Sequence, residues 1–165
     1  MQIRPFHPDD LPALQKITVD AFDGVSIDQG IERVFGSISG HDWKWRKARH
    51  IEDDARREPA GIFVGELDGQ IIGYITTWQD REAGIGNIPN VAFLPEYRGQ
   101  GLGRELIEHA LQHFRDCGLS HAKIETLAQN EIGNHLYRSL GFEEVARQIH
   151  FVADLQADTD SQSDQ

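Results

Sequence analysis

Apolar residues recur at two different periods along this chain of 165 residues, and the change of period divides it. Gln2 to Pro5 has the character of a short strand. His7-Pro8-Asp9-Asp10 then gives a helix start, with an Asp cap and Pro12 in the first turn. Leu11, Leu14, Ile17, Ala21 and Phe22 follow at spacings of three and four, which predicts an amphipathic helix. Asp23 to Gly30 reads as a loop. A second helical region is expected between Ile31 and Glu58, broken near Gly36 to Gly40 and stopped by Pro59. The runs Ile62–Leu67 and Ile71–Trp78 are β-rich, and Asp68-Gly69 between them is a strong hairpin signal. A third strand ends in Asn90-Val91-Ala92-Phe93-Leu94, with Pro89 marking a bulge or a break in pairing. A glycine-rich turn opens a helix with Leu102, Leu106, Ile107, Ala110, Leu111 and Phe114 on one face, ending at Cys117-Gly118. Ala122 to Leu127 is expected as a strand, Asn130 to Leu140 as a short helix, and Glu144 to Val152 as a last strand. The order β-α-α-β-β-β-α-β-α-β describes a mixed α/β sandwich in one domain.

Composition changes this picture little. No apolar run approaches the roughly 20 residues that a membrane span needs, and the N-terminus lacks the apolar stretch of a signal peptide. A single cysteine, Cys117, excludes an internal disulfide framework and a cysteine zinc site. The scattered histidines show no metal-ligand spacing, so no metal is expected. These features point to the cytoplasm. The net charge of -11, from 16 Lys+Arg against 27 Asp+Glu, repels phosphate backbones and speaks against nucleic acid as a partner. It favours cationic partners only weakly, because Asp154, Asp158, Asp160 and Asp164 crowd a polar terminus. The expected division is a folded domain over 1–153 and an acidic, disordered tail over 154–165.

The chemistry concentrates in Val91-Ala92-Phe93-Leu94-Pro95-Glu96-Tyr97-Arg98-Gly99-Gln100-Gly101-Leu102-Gly103-Arg104. A strand runs into a turn with glycines at alternate positions, and the turn opens a helix. Glycines permit unusual backbone angles and close approach of a ligand, and a helix N-terminus offers unpaired N–H groups and partial positive charge. Arg98 and Arg104 add full charges. A pyrophosphate suits such a site. No lysine completes a P-loop. A dinucleotide-binding fingerprint read from Gly99 or from Gly101 meets Arg104 or Leu106 where glycine is required.

This segment resembles the phosphate-binding signature of the GNAT N-acetyltransferase family, Arg/Gln-x-x-Gly-x-Gly/Ala, through Arg98, Gly101 and Gly103. A second segment, Asn130-Glu131-Ile132-Gly133-Asn134-His135-Leu136-Tyr137-Arg138-Ser139-Leu140-Gly141-Phe142, resembles the family's Asn-x-x-Ala-x-x-Leu-Tyr-x-x-x-Gly-Phe. Gly133 replaces the usual alanine, at a helix cost of about 1 kcal/mol, and leaves space for a cofactor. The resemblance covers roughly Ile62 to Val152 and implies a mixed, mostly antiparallel sheet flanked by helices.

The resemblance also implies the activity: acetyl passes directly from the acetyl-CoA thioester to a primary amine. Backbone groups of Gly99, Gln100, Gly101, Leu102 and Gly103 would hold the pyrophosphate. Val91, Ala92 and Phe93 would pair with the pantetheine arm, and the Phe93 N–H would face the thioester carbonyl. Tyr137 is implied as the general acid for the thiolate, or packs as a core aromatic. Asn130 contacts the pantetheine or caps the helix. Glu125 stands five residues before Asn130, a spacing similar to that of the glutamate in ribosomal-protein N-terminal acetyltransferases, and is the candidate base; a solvated strand face is its alternative. Asp80 and Glu82 are weaker options. His109, His113 and His135 look exposed, and Cys117 reads as an inert small hydrophobe. The family's acceptor region falls at about Phe22 to Pro59. There Trp43, Trp45, Glu52, Asp53 and Asp54 either recognise a cationic amine or form a packed stripe and its solvated face. The acceptor is thus an amine-bearing small molecule or a protein N-terminus, and a homodimer is the default assembly.

Overall fold

Asp68 and Gly69 both take positive φ, 51° and 79°, the type I′ geometry that follows strand twist. They join β2 (Ile62–Leu67) to β3 (Gln70–Asp80) in the computed structural model, which describes residues 1–156. Around this hairpin lie β1 (Gln2–Pro5), α1 (Leu11–Ala21), α2 (Ile27–Phe35), α3 (Trp43–Arg57), β4 (Ile85–Phe93), α4 (Leu102–Asp116), β5 (His121–Ile124) and α5 (Glu131–Ser139). One sheet has the order β1-β2-β3-β4-β5, antiparallel except where β4 meets β5. The parallel pair is the one whose connection contains a helix, α4, as parallel pairing requires.

The central strands are covered on both faces, so their sequence is nearly continuous in apolar residues rather than alternating. Ile62, Val64, Tyr74 and Ala92 pack with Leu14 and Ile17 of α1 and Ile51 of α3. Phe63, Ile75 and Phe93 pack with Leu106, Ile107, Ala110 and Phe114 of α4. Each fully buried aliphatic side chain contributes about 1.5–3 kcal/mol. One polar pair is sealed within: the Tyr74 and Thr18 hydroxyls lie 2.6 Å apart, and Thr18 donates to the Leu14 carbonyl. Burial pushes the Tyr74 phenol far up.

The first helix starts differently from the sequence expectation. Pro8–Asp10 is a 3-10 turn capped by His7. Asp10 accepts the His7 N–H at 2.7 Å and forms a two-point ion pair with Arg4. Arg4 also bonds Glu66, so β1, β2 and the helix entry are tied at one point. The Arg4 guanidinium holds the Asp10 carboxyl below the usual carboxylate range. Asp10→Ala should cost about 2 kcal/mol in urea unfolding. Because the folded value is depressed, this stabilisation is present above pH ~4 and lost as pH falls through the folded value. The variant's stability should therefore fall less steeply with acid than the wild type's.

Three further expectations are corrected. Helix α2 begins at Ile27, inside the expected loop, because Arg46 of α3 donates to the Asp28 carbonyl and lies beside its carboxylate and that of Glu32. Tertiary contact overrides the weak local propensity of a segment containing Gly30. Strand β5 stops at Ile124 rather than Leu127. The expected last strand over Glu144 to Val152 does not form, and Val145, Ile149 and Phe151 are 93%, 80% and 88% exposed. Glu144 instead bonds Arg138 and Arg147 locally, and β-propensity without a paired strand does not make one. Residues 157–165, most of the expected tail, lie outside the described residues. No helix among the described residues is long and apolar enough to cross a membrane.

Candidate active site

The site begins where two strands part. Strand β5 pairs with β4 only from Ile85 to Ile88, while β4 continues along β3 to Phe93. The register shifts between Thr76↔Asn90 and Trp78↔Asn87, which puts an extra residue on β4 at Ile88-Pro89. Pro89, with no N–H to donate, occupies this bulge. Beyond it the Leu94 N–H donates to the Ile72 carbonyl at 2.9 Å. Antiparallel alternation then turns the backbone groups of Ala92 and Asn90 toward β3. Those of Val91 and Phe93 face the side that β5 has left, as an open edge.

Chain direction next reverses through a 3-10 turn at Pro95–Tyr97 into α4. Gly99 and Gly101 take φ of 75° and 80°, and Gly101 is the N-cap. Nothing lies within 4 Å of a Cβ built at either residue, so backbone conformation, not crowding, requires glycine there. The amides of Gly99, Gln100, Gly101, Leu102 and Gly103 make no hydrogen bond among the described residues. Five free donors thus lie in succession at the positive end of α4. A Cβ at Gly103 would stand 3.3 Å from Leu136, which sets α5 against this first turn. The arginines are engaged elsewhere: Arg98 donates to the Ala21 carbonyl, and Arg104 donates to Ser139 and lies beside Glu108. Gln100 donates to the Glu96 carbonyl. The backbone donors add to the charge that the two arginines keep.

Asn130 caps α5, accepting the Gly133 N–H at 3.1 Å while donating to Thr126. A Cβ at Gly133 would come within 2.6 Å of the Asn130 amide nitrogen. The room expected for a cofactor at Gly133 is therefore taken by the cap itself. The Tyr137 ring packs against the α4-side core and edge-on to Phe142. Its hydroxyl makes no hydrogen bond among the described residues. Burial pushes this phenol up to about 12, so it stays protonated at neutral pH.

On the opposite face, a cavity of about 300 Å³ opens where β4 and β5 part, lined by Asp54 and Arg57 of α3, Trp78, Asn87, Lys123 and Glu125. Glu125 lies just past the end of β5, exposed, and pairs with Lys123 at 2.5 Å. Asp54 is half-buried. Its Oδ2 accepts from Thr76 at 2.7 Å and from Asn90 at 2.8 Å. Its Oδ1 has no partner among the described residues. Asn90 in turn accepts from Lys47, whose ammonium sits 4.0 Å over the Phe22 ring. Burial lowers the Lys47 pKa, opposed by the charges of Asp28 and Asp54.

The profile of the acetyltransferase (GNAT) family matches residues 26–142. The chain belongs to that family. Mycothiol acetyltransferase from Streptomyces avermitilis is 35% identical over 107 residues, covering 65% of this chain and 33% of the relative. The Rhodococcus jostii enzyme of that name is 30% identical over 155 residues, covering 85% and 51%. This GNAT chain thus spans between a third and about half of the length of these relatives. Among solved structures, the ribosomal-protein-S18-alanine N-acetyltransferase of Escherichia coli superposes with a TM-score of 0.66 at 24% identity, over 88% of this chain and 79% of that one. The PaiA N-acetyltransferase of Thermoplasma acidophilum, solved in complex with coenzyme A, gives 0.69 at 19%, over 86% and 89%. At such identities the likeness establishes the GNAT fold.

The acceptor-side residues differ in their surroundings. Trp43 is core, 6% exposed, while Trp45 stacks on His41 at 3.6 Å. Glu52 pairs with Arg56 and Gln15. Asp53 pairs with Arg56 at the cavity's rim. His109 and His113 are not solvated as expected; both pack edge-on to Phe63, and burial lowers the His109 pKa. Asp80 caps the turn at Ala83. The Lys47–Asn90–Asp54–Thr76 chain was missed as a unit. A signal for half of it exists, since Trp43, Lys47, Ile51 and Asp54 follow at spacings of four, four and three. A lysine and an aspartate therefore stand in the inward stripe of α3.

Proposed function

We propose that this GNAT protein is an acetyl-CoA-dependent N-acetyltransferase that moves acetyl directly onto a primary amine. The observation that carries the reading is the set of five unbonded amides at the head of α4, beside the open backbone edge of Val91 and Phe93. The residues present fit the group: the amides suit a pyrophosphate, and the open edge suits the amides of a pantetheine arm. Acetyl-CoA would supply an acetyl thioester and a thiolate leaving group. The Phe93 N–H is the donor assigned to the thioester carbonyl. Tyr137, protonated at neutral pH, donates to the departing sulfur. A carboxylate of the cavity across the sheet takes the amine's proton, and Glu125 is the family-based candidate. Relatives named for mycothiol and for the alanine of ribosomal protein S18 are compatible with an amine-bearing small molecule or a protein N-terminus as acceptor.

Calorimetric titration with acetyl-CoA, followed by thiol release over an amine panel, tests this. Binding with a Kd of about 1–100 μM and release that depends on one class of amine is the expected result. No binding of any acyl-CoA would refute the assignment, and binding without turnover on any amine would leave a cofactor-binding protein instead.

A further inference from the structure

We propose that Asp54, rather than Glu125, binds the ammonium of the acceptor and takes its proton; the proposal rests on the acetyltransferase reading above. Three carboxylates line the cavity; Asp53 is paired with Arg56, and the other two are held very differently. Glu125 is exposed, and its charge is already matched by Lys123. Asp54 has one oxygen fixed by two neutral donors from the sheet, Thr76 and Asn90, while Oδ1 is free. A carboxylate fixed in this way loses little freedom on gaining a third partner, and its free oxygen suits a charged N–H donor.

Location strengthens the case. Asn90, which orients Asp54, directly precedes Val91, the first residue with backbone groups on the open edge. An ammonium on Oδ1 would therefore stand on the α3 side of the gap through which the strands part. The charged and titratable groups around Asp54 are Lys47, Asp53 and Arg57 on α3, Tyr74 on β3, and Lys123 and Glu125 at the end of β5. Lys47 does not touch Asp54, because Asn90 stands between them. In the proton step, one ammonium N–H bond breaks and its proton passes to Oδ1. The neutral amine keeps its lone pair for the transfer, and Asp54 returns the proton to water at the cavity mouth before the next turnover. Asp54 thus selects for acceptors that arrive as protonated primary amines.

The test uses the full chain and four probes: n-butylamine, ethanolamine, L-alaninamide and glucosamine. Their affinities are measured by titration without cofactor, for the wild type, Asp54→Asn, Asp54→Ser and Glu125→Gln. At least one probe should bind the wild type, weaken about tenfold or more in both Asp54 variants and change less than about threefold in Glu125→Gln. The acid limb of kcat/KM should also flatten in Asp54→Asn. Asp54→Ser keeps an acceptor for Thr76 and Asn90, so the prediction survives a folding defect in the asparagine variant. Unchanged affinity in the Asp54 variants, a larger loss in Glu125→Gln, or no probe binding the wild type would overturn the proposal. Acetyl-CoA affinity, measured in parallel, distinguishes this failure from failure of the acetyltransferase reading.

Discussion

Gly101→Asp should lower acetyl-CoA affinity by about 10²-fold or more, equivalent to roughly 2.7 kcal/mol. Gly101 is the N-cap of α4, and nothing in the protein lies within 4 Å of a Cβ there. An introduced carboxylate meets no steric bar and stands within reach of the free N2 amide of Gly103, the partner of an N-cap aspartate. It then occupies a donor assigned to the pyrophosphate and opposes its charge. The backbone cost is small by comparison, about 1 kcal/mol for a side chain at positive φ and a Tm lower by about 2–4 °C. Gly101→Ala separates the two effects, since it carries the same strain without charge or acceptor atoms. Calorimetry should therefore find the alanine variant much closer to the wild type than the aspartate variant. If Gly101→Asp binds acetyl-CoA as tightly as the wild type, the anion site is not at this turn.

Tyr137→Phe should reduce kcat by about 10²-fold while changing acetyl-CoA affinity little. The ring is most of what Tyr137 contributes to packing, and phenylalanine keeps its contacts with the core and with Phe142. Only the hydroxyl is lost, and it makes no hydrogen bond among the described residues. The fold should thus be unaffected, and any loss of rate reports the proton donor. Burial, which pushes the phenol up to about 12, keeps the acid form populated throughout the range where a thiolate leaving group with an ordinary pKa near 8.5 needs a proton. Raised phenol pKa also means that Tyr137 favours the folded state below pH ~10 and that this contribution fades as pH rises toward the folded value. Steady-state kinetics beside thermal melts will separate these effects. An unchanged kcat removes Tyr137 from the proton path.

Local patterns carried most of the fold. Continuous β-rich runs located β2 and β3, and spacings of three and four located α1 and α4, because the apolar residues of each element mark what it buries. Asp68-Gly69 specified its turn, since both positions must adopt positive φ. The glycine-rich turn and the Asn130 to Phe142 segment were legible for a similar reason, as each takes its conformation from its own backbone and short-range side chains. Failures came where an outcome depends on a distant partner. Helix α2 starts early because Arg46 reaches it from α3, and Glu144 to Val152 lacks the neighbouring strand that its composition would suit.

By itself the sequence determined the mixed α/β class, the order of elements from β2 to α5, and the glycine-rich turn with its family resemblance, because these rest on residues adjacent in the chain. Tertiary structure alone decided where the strands part and which carboxylate is held there. Asp54 lies 22 residues from Thr76 and 36 from Asn90, and no local pattern links positions that far apart. Only the packing of α3 across β3 and β4 brings the three together, and it leaves one Asp54 oxygen without a hydrogen-bond partner among the described residues.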